Sequence, residues 1–312
     1  MPAAPDTLKT SLGSVDLVSP IVLAAGTCGY VDELAVALDL SRVGAVTTKS
    51  ITPEPRTGNA PMRVLDVKAG MVNAVGLANM GIESFIRDKA AAVRDAATVV
   101  IGSIAGFSVE DYVQVATSFA ELGTMPIIEM NVSCPNCEDG RLATATPDTL
   151  ARHVRAVREV LPDQQLFVKL PPDTHGLVPL ARAAIESGAD GLTMVNSLEV
   201  LSIDVPTRRS VLGRARKGMS GPAIHPLAVR LINDVYRGVA RDAGVPIIGL
   251  GGVLDWEDAA EMILAGATAV GVGTSLFVDP ASPKRIQKGL RRWVRSQGCH
   301  SVTELVGAHE EG

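Results

Sequence analysis

Aromatic side chains are scarce in this chain, 3% of its 312 residues, and its basic residues never gather into a block. Without stacking platforms or a run of cations to neutralise phosphates, nucleic acid is not an expected partner. Cysteine is also sparse: Cys28, Cys134, Cys137 and Cys299 are too few and too scattered for a disulfide framework, which fits a reducing compartment. Met1 to Ser19 lack a basic segment followed by an apolar one, and no uncharged apolar run is long enough to cross a bilayer. The expectation is a cytoplasmic protein, without a membrane segment, that acts on a small molecule.

What is present points to a large packed core. Hydrophobic residues make up 46% against 20% charged, far from the composition of a disordered chain. Short apolar or β-branched runs recur at Ile21–Ala25, Ala45–Lys49, Val99–Ile104, Ile127–Val132, Phe167–Leu170, Gly191–Val195, Pro246–Leu250 and Ala269–Val272. Helical periodicity fills most of the gaps, at Ile82–Ala97, Val109–Leu122, Thr149–Val160, Val178–Ser187, Pro226–Ala243, Trp256–Ala265 and Ser282–Ser296. Alternating strands and helices predict a parallel sheet. Strands this uniformly apolar are covered on both faces, and eight such units close into a (β/α)8 TIM barrel of the α/β class. An open doubly wound sheet is the alternative, but the first strand leads into Ala24-Ala25-Gly26-Thr27-Cys28-Gly29, which lacks the dinucleotide fingerprint. With no low-complexity linker and no other repeat, residues 1–312 read as a single domain.

Three long connections, 50–81, 134–148 and 197–223, follow candidate strands and therefore belong on the C-terminal face, where barrels build their sites. The last two strands run into Gly249-Leu250-Gly251-Gly252-Val253 and Gly271-Val272-Gly273-Thr274-Ser275. Such turns either simply tighten the connection or offer backbone N–H groups to a phosphate; paired on adjacent strands they favour phosphate. Lys49 and Lys169 close two strands and should point to the mouth, each needing an anion, structural or bound. A lysine at a strand end also admits a Schiff-base aldolase built on Lys169. Asparagines cluster at Asn73 and Asn79, at Asn131 and Asn136, and at Asn196 beside Ser197, suiting either turns or the alternating donors and acceptors of a neutral heterocycle. Cys134 and Cys137 form a Cys-x-x-Cys that could be a redox pair or half of a zinc site, though no second pair completes a metal site.

The run Asn131-Val132-Ser133-Cys134-Pro135-Asn136 resembles the active-site loop of class 1 dihydroorotate dehydrogenases. The likeness extends over Ser19-Pro20-Ile21, Gly70 to Leu77, Asp190 to Asn196, Ser220 to Ile224 and Gly249 to Gly252, and is greatest to the NAD-linked class 1B catalytic subunit. The resemblance implies an FMN flavoprotein oxidising (S)-dihydroorotate to orotate in de novo pyrimidine biosynthesis, on the way to UMP. Cys134 would be the base that takes the C5 proton while hydride passes from C6 to flavin N5. The FMN would be held by Ala25, Gly26, Lys49, Ser50, Asn131, Lys169, Val195, Ser220 and Gly221, with its phosphate on Gly251, Gly252, Gly273 and Thr274. Lys49, Asn73, Val75, Gly76, Leu77, Asn131, Asn136, Asn196 and Ser197 would bind substrate. The class 1B pattern further implies a homodimer and an electron-transfer subunit carrying FAD and an iron–sulfur cluster. A dihydropyrimidine dehydrogenase acting on dihydrouracil shares these features and is the nearest alternative. The sequence departs from the family's pattern at Cys137, at Asn196-Ser197-Leu198 and at His225, where class 1B enzymes usually carry lysine.

Overall fold

In a computed structural model, residues 7–132, 146–214 and 216–310 are described. Eight parallel strands close into a barrel: β1 (Ile21–Leu23), β2 (Ala45–Thr47), β3 (Val99–Ile104), β4 (Ile127–Asn131), β5 (Gln165–Lys169), β6 (Gly191–Met194), β7 (Ile247–Leu250) and β8 (Ala269–Val272). They pair in chain order and β8 returns to β1, as the eight apolar runs predict. The surrounding helices include α1 (Ile82–Arg94), α2 (Val109–Leu122), α3 (Pro147–Glu159), α4 (Leu177–Glu186), α5 (His225–Val235), α6 (Trp256–Ala265) and α7 (Ser282–Ser296).

Local chemistry sets the helix ends. Ser108 accepts from the Asp111 N–H at the start of α2, and Gly123 ends that helix in the left-handed region at φ 65°. Asp255 and Asp258 form a reciprocal capping box on α6. The helix expected over Pro226–Ala243 is not continuous: α5 gives way to a π-helical turn over Tyr236–Ala240 before one last α-turn. A π-turn admits one extra residue per turn and rotates the face that follows it.

The N-terminal end of the barrel is closed by a hairpin, Thr10–Leu12 against Val15–Leu17, which the sequence reading did not register. Its Leu12 and Leu17 pack on Val22, Ala45, Ile101, Ile127, Phe167, Ile248 and Ala269, the inward residues at the base of seven barrel strands. Gly191 completes this layer by omission, because a Cβ there would lie 2.2 Å from the Phe167 ring.

At the other end, two connections expected to be loops prove to be sheet. Val64–Val67, Gly70–Asn73, Lys217–Ser220 and Leu198–Val200 form a four-stranded antiparallel sheet, with Gly70–Asn73 pairing across to Lys217–Ser220. Their alternation is too short to be recognised within either segment, and each half acquires its partner only when the barrel brings the connections after β2 and β6 together. Among the described residues, no helix is long and apolar enough to cross a membrane.

Candidate active site at the C-terminal mouth

Along a barrel strand alternate residues face inward, so the side chains above the apolar base are fixed by register. On β4 the inward positions are Ile127, Glu129 and Asn131, and Asn131 lies opposite Lys169, which in turn lies opposite Thr193. This row and its neighbours make a polar layer of Ser103, Glu129, Asn131, Lys169 and Thr193, all buried. Above it opens a cavity of about 1200 Å³ including its mouth, roofed in part by Val64, Met71 and Asn73 of the four-stranded sheet.

The polar layer is one connected network. Lys169 Nζ is 3.7 Å from Glu129 Oε1, with both side chains at most 5% exposed. Ser103 Oγ donates to the same carboxylate at 3.4 Å and lies 2.8 Å from Ser50 Oγ. Asn131 Nδ2 donates to Ser50 Oγ at 3.1 Å, and Asn131 Oδ1 accepts from Asn196 Nδ2 at 3.2 Å. Tyr112 from α2 donates its hydroxyl to the Asn131 carbonyl at 2.9 Å and so fixes the end of β4. A buried charge requires such partners, since an unpaired ion in a low dielectric costs several kcal/mol.

Glu129 was missed in the sequence, although a signal existed: it is a lone carboxylate inside Ile127-Ile128-Glu129-Met130, a strand otherwise apolar. Its presence answers the question raised by Lys169. Lys169 thus meets its anion in a structural ion pair, which accounts for a buried lysine without a Schiff-base role.

Ala25, Gly26, Lys49, Ser50, Asn73, Val75, Gly76, Leu77, Asn131, Lys169, Val195, Asn196, Ser197, Ser220, Gly251, Gly252, Gly273 and Thr274 all line this cavity. Gly221 does not line it; at φ 97° it packs behind the wall, where a Cβ would lie 2.8 Å from Gly70 Cα. Asn79 is likewise structural: it donates to Thr52 Oγ1 and the Leu77 carbonyl and accepts from the Thr52 and Gly81 N–H groups. Cys134, Asn136 and Cys137 lie outside the described residues. The lining also includes Thr27, Ile224, Leu250, Val253 and Phe277, apolar or small residues with no individual motif.

Two features suit a large anionic ligand. At Gly26 and Gly273 a Cβ would meet nothing closer than 3.5 Å, so a side chain there would simply take up room in the cavity. Gly251 and Gly252 adopt φ 146° and 75°, conformations that L side chains rarely enter, and this keeps their backbone bare at the wall. Cys28, by contrast, lies beneath the wall; its S–H is shared between the Ala24 and Thr47 carbonyls, and burial pushes its pKa up to about 12.

Comparison with known proteins agrees with this geometry. The family model described as dihydroorotate dehydrogenase matches residues 7–294. A relative from Bacteroides thetaiotaomicron, named dihydroorotate dehydrogenase B (NAD(+)), catalytic subunit, is 38% identical over 304 residues, covering 97% of this chain and 99% of its own. A protein from Solibacter usitatus, provisionally named dihydroorotate dehydrogenase A (fumarate), is 39% identical over 300 residues, covering 96% of this chain and 97% of its own. The crystal structure of an Eimeria tenella DHODH in complex with ferulenol superposes with a TM-score of 0.84 at 22% identity, covering 99% of this chain and 90% of that one. At that identity the likeness speaks to the fold.

Proposed function

The chain belongs to the dihydroorotate dehydrogenase family, and from that premise we propose how its residues oxidise dihydroorotate to orotate with FMN. One observation carries the reading: Lys49, Asn131, Lys169 and Asn196 share a cavity with the glycine turns at 251–252 and 273. That cavity combines cations, amide donors and acceptors, and bare backbone, the set that a flavin phosphate, a carboxylate and a pyrimidine ring together require.

The residues present fit FMN. Ala25, Gly26, Ser50, Lys169, Val195 and Ser220 would hold the ring system and its chain, and Gly251, Gly252, Gly273 and Thr274 its phosphate. Ser220 and Thr274 are already joined, with Thr274 Oγ1 donating to Ser220 Oγ at 2.9 Å. Bound there, FMN supplies the two-electron sink for a CH–CH oxidation.

The protein's own part is to bind, orient and take the proton. Lys49 offers an ammonium to the substrate carboxylate. Asn131, Asn196 and Asn73 address the ring edges, with Asn131 fixed in orientation by Ser50 and Asn196, and Asn73 anchored on the Gly218 carbonyl at 3.0 Å. Val75, Gly76, Leu77 and Ser197 complete the enclosure, and the family resemblance assigns Asn136 to the substrate as well. Cys134, three residues beyond the last residue of β4, is the base that accepts the C5 proton as thiolate. An ordinary thiol with a pKa of ~8.5 is only a few per cent ionised at neutral pH, so flavin reduction accelerates as pH rises towards that value. The name of its relatives, the NAD(+) B-type catalytic subunit, supports an NAD-linked subclass with a separate electron-transfer subunit; the class 1B resemblance adds a homodimeric core, FAD and an iron–sulfur cluster on that subunit, and a cytoplasmic location.

The test is anaerobic. Dihydroorotate should bleach the flavin absorbance rapidly and dihydrouracil slowly, with NAD⁺ reoxidising the flavin only when the partner subunit is added. Faster bleaching by dihydrouracil would transfer the reading to dihydropyrimidine oxidation. Cys134→Ser should slow flavin reduction and Cys134→Ala nearly abolish it; unchanged rates in both would sink the assignment of the base.

A further inference from the structure

His225 opens α5 directly behind the glycine turn and is only 6% exposed. Its Nδ1 lies 2.8 Å from the Gly251 carbonyl oxygen. On the other side its Nε2 lies 3.2 Å from Glu261 Oε2 and 3.7 Å from Asp258 Oδ1, both on α6. Both carboxylates face the ring from the same helix. A carbonyl oxygen can only accept, so the ring donates its Nδ1–H to Gly251. The Glu261 and Asp258 carboxylates brace the other side of the ring.

The position of that ring matters because of what the Gly251 carbonyl is bonded to. The same peptide unit carries the Gly252 N–H, and a donor on the carbonyl oxygen draws density through the amide and strengthens the N–H as a donor. Packing ties residue 225 to the turn as well. A Cβ at Gly252 would lie 2.7 Å from both His225 Cβ and the Gly221 carbonyl oxygen. Asp258 links the ring onward, because its other oxygen accepts from the Leu254 N–H at 2.8 Å, at the exit of the same turn.

We propose that His225 is a positioning residue for phosphate recognition: braced by Glu261 and Asp258, it clamps the Gly251 carbonyl through Nδ1–H and polarises the Gly251–Gly252 peptide for the phosphate monoester of the flavin. The proposal rests on the reading that the FMN phosphate lies on Gly251 and Gly252. It assigns to α6, which does not line the cavity, a share in cofactor affinity.

Dissociation constants for FMN and for riboflavin, which lacks the phosphate, test it on the refolded apoprotein, with its thermal unfolding as the check on folding. His225→Phe should weaken FMN by about tenfold or more while leaving riboflavin within about threefold, and His225→Lys should restore most of the loss. Equal weakening of both flavins by His225→Phe, or failure of His225→Lys to recover FMN, overturns the proposal. The ¹⁵N shift of the His225 Nδ1 should show that nitrogen protonated at neutral pH; an unprotonated Nδ1 overturns it too. Gly252→Ala separates the two levels. If it leaves the preference for FMN over riboflavin intact, the phosphate does not lie on this turn and the underlying reading falls. If it removes that preference while His225→Phe does not, only the role of His225 falls.

Discussion

Burial decides what the Cys28 thiol can do. Cys28 is 2% exposed and its pKa rises from an ordinary 9.0 to about 12 because desolvation disfavours the thiolate. A folded-state value above the unfolded one stabilises fully below pH 9.0 and loses that contribution as pH climbs towards 12. Cys28→Ala should therefore flatten the alkaline fall in unfolding free energy, by up to about 1.4 kcal/mol per pH unit relative to wild type; identical pH profiles between pH 9 and 11 would contradict this. Glu129 makes the converse point for a charge. Replacing it with leucine removes the buried carboxylate facing Lys169 and should cost about 3 kcal/mol in urea-induced unfolding, with a loss under about 1 kcal/mol counting against the pair. Glu129 was legible in the sequence as a charge inside an apolar strand, but its partner was not. The register that sets Asn131 opposite Lys169, and so brings the carboxylate of Glu129 to the ammonium, is a property of two strands separated by a helix.

At the scale of elements, periodicity served well where an element could be recognised by itself. The run Val99–Ile104 and the helices Val109–Leu122, Trp256–Ala265 and Ser282–Ser296 are found with the boundaries their patterns predict. The roof sheet was not recognisable, because its strands are three or four residues long and find partners across some 145 residues of chain, as Asn73 does with Gly218. Lys217 holds one half of this roof in place: fully buried, it donates from Nζ to Ser210 Oγ and the Arg214 carbonyl, each at 2.6 Å. Lys217→Met should keep the barrel folded but loosen residues 198–220, seen as faster hydrogen exchange there and a several-fold rise in KM for dihydroorotate. Protection unchanged from wild type would show that the roof does not depend on this anchor.

For the whole molecule, the barrel is a two-ended object with a closed apolar base and an open polar mouth. The hairpin over residues 10–17 seals the base, and Leu12→Ala or Leu17→Ala should each cost about 2–5 kcal/mol while leaving the flavin-binding constant unchanged. A variant that lost FMN affinity in proportion to stability would mean that the two ends are coupled. Gly191→Val tests the same layer from the other side: its side chain would collide with the Phe167 ring and should destabilise by about 1–3 kcal/mol.

The sequence by itself determined the eightfold alternation of strand and helix, the glycine turns after the last two strands, and the asparagines and lysines at the strand ends. Each follows from local periodicity or from the residue type at a strand terminus, and these read directly from the chain. Tertiary structure decided the rest: that Glu129 faces Lys169, that Asn79 supports a turn and not the cavity, that two connections join as a roof, and that His225 stands between Gly251 and Glu261. Those outcomes depend on barrel closure and register, which bring together residues far apart in sequence, and no local pattern encodes which side chains will then meet.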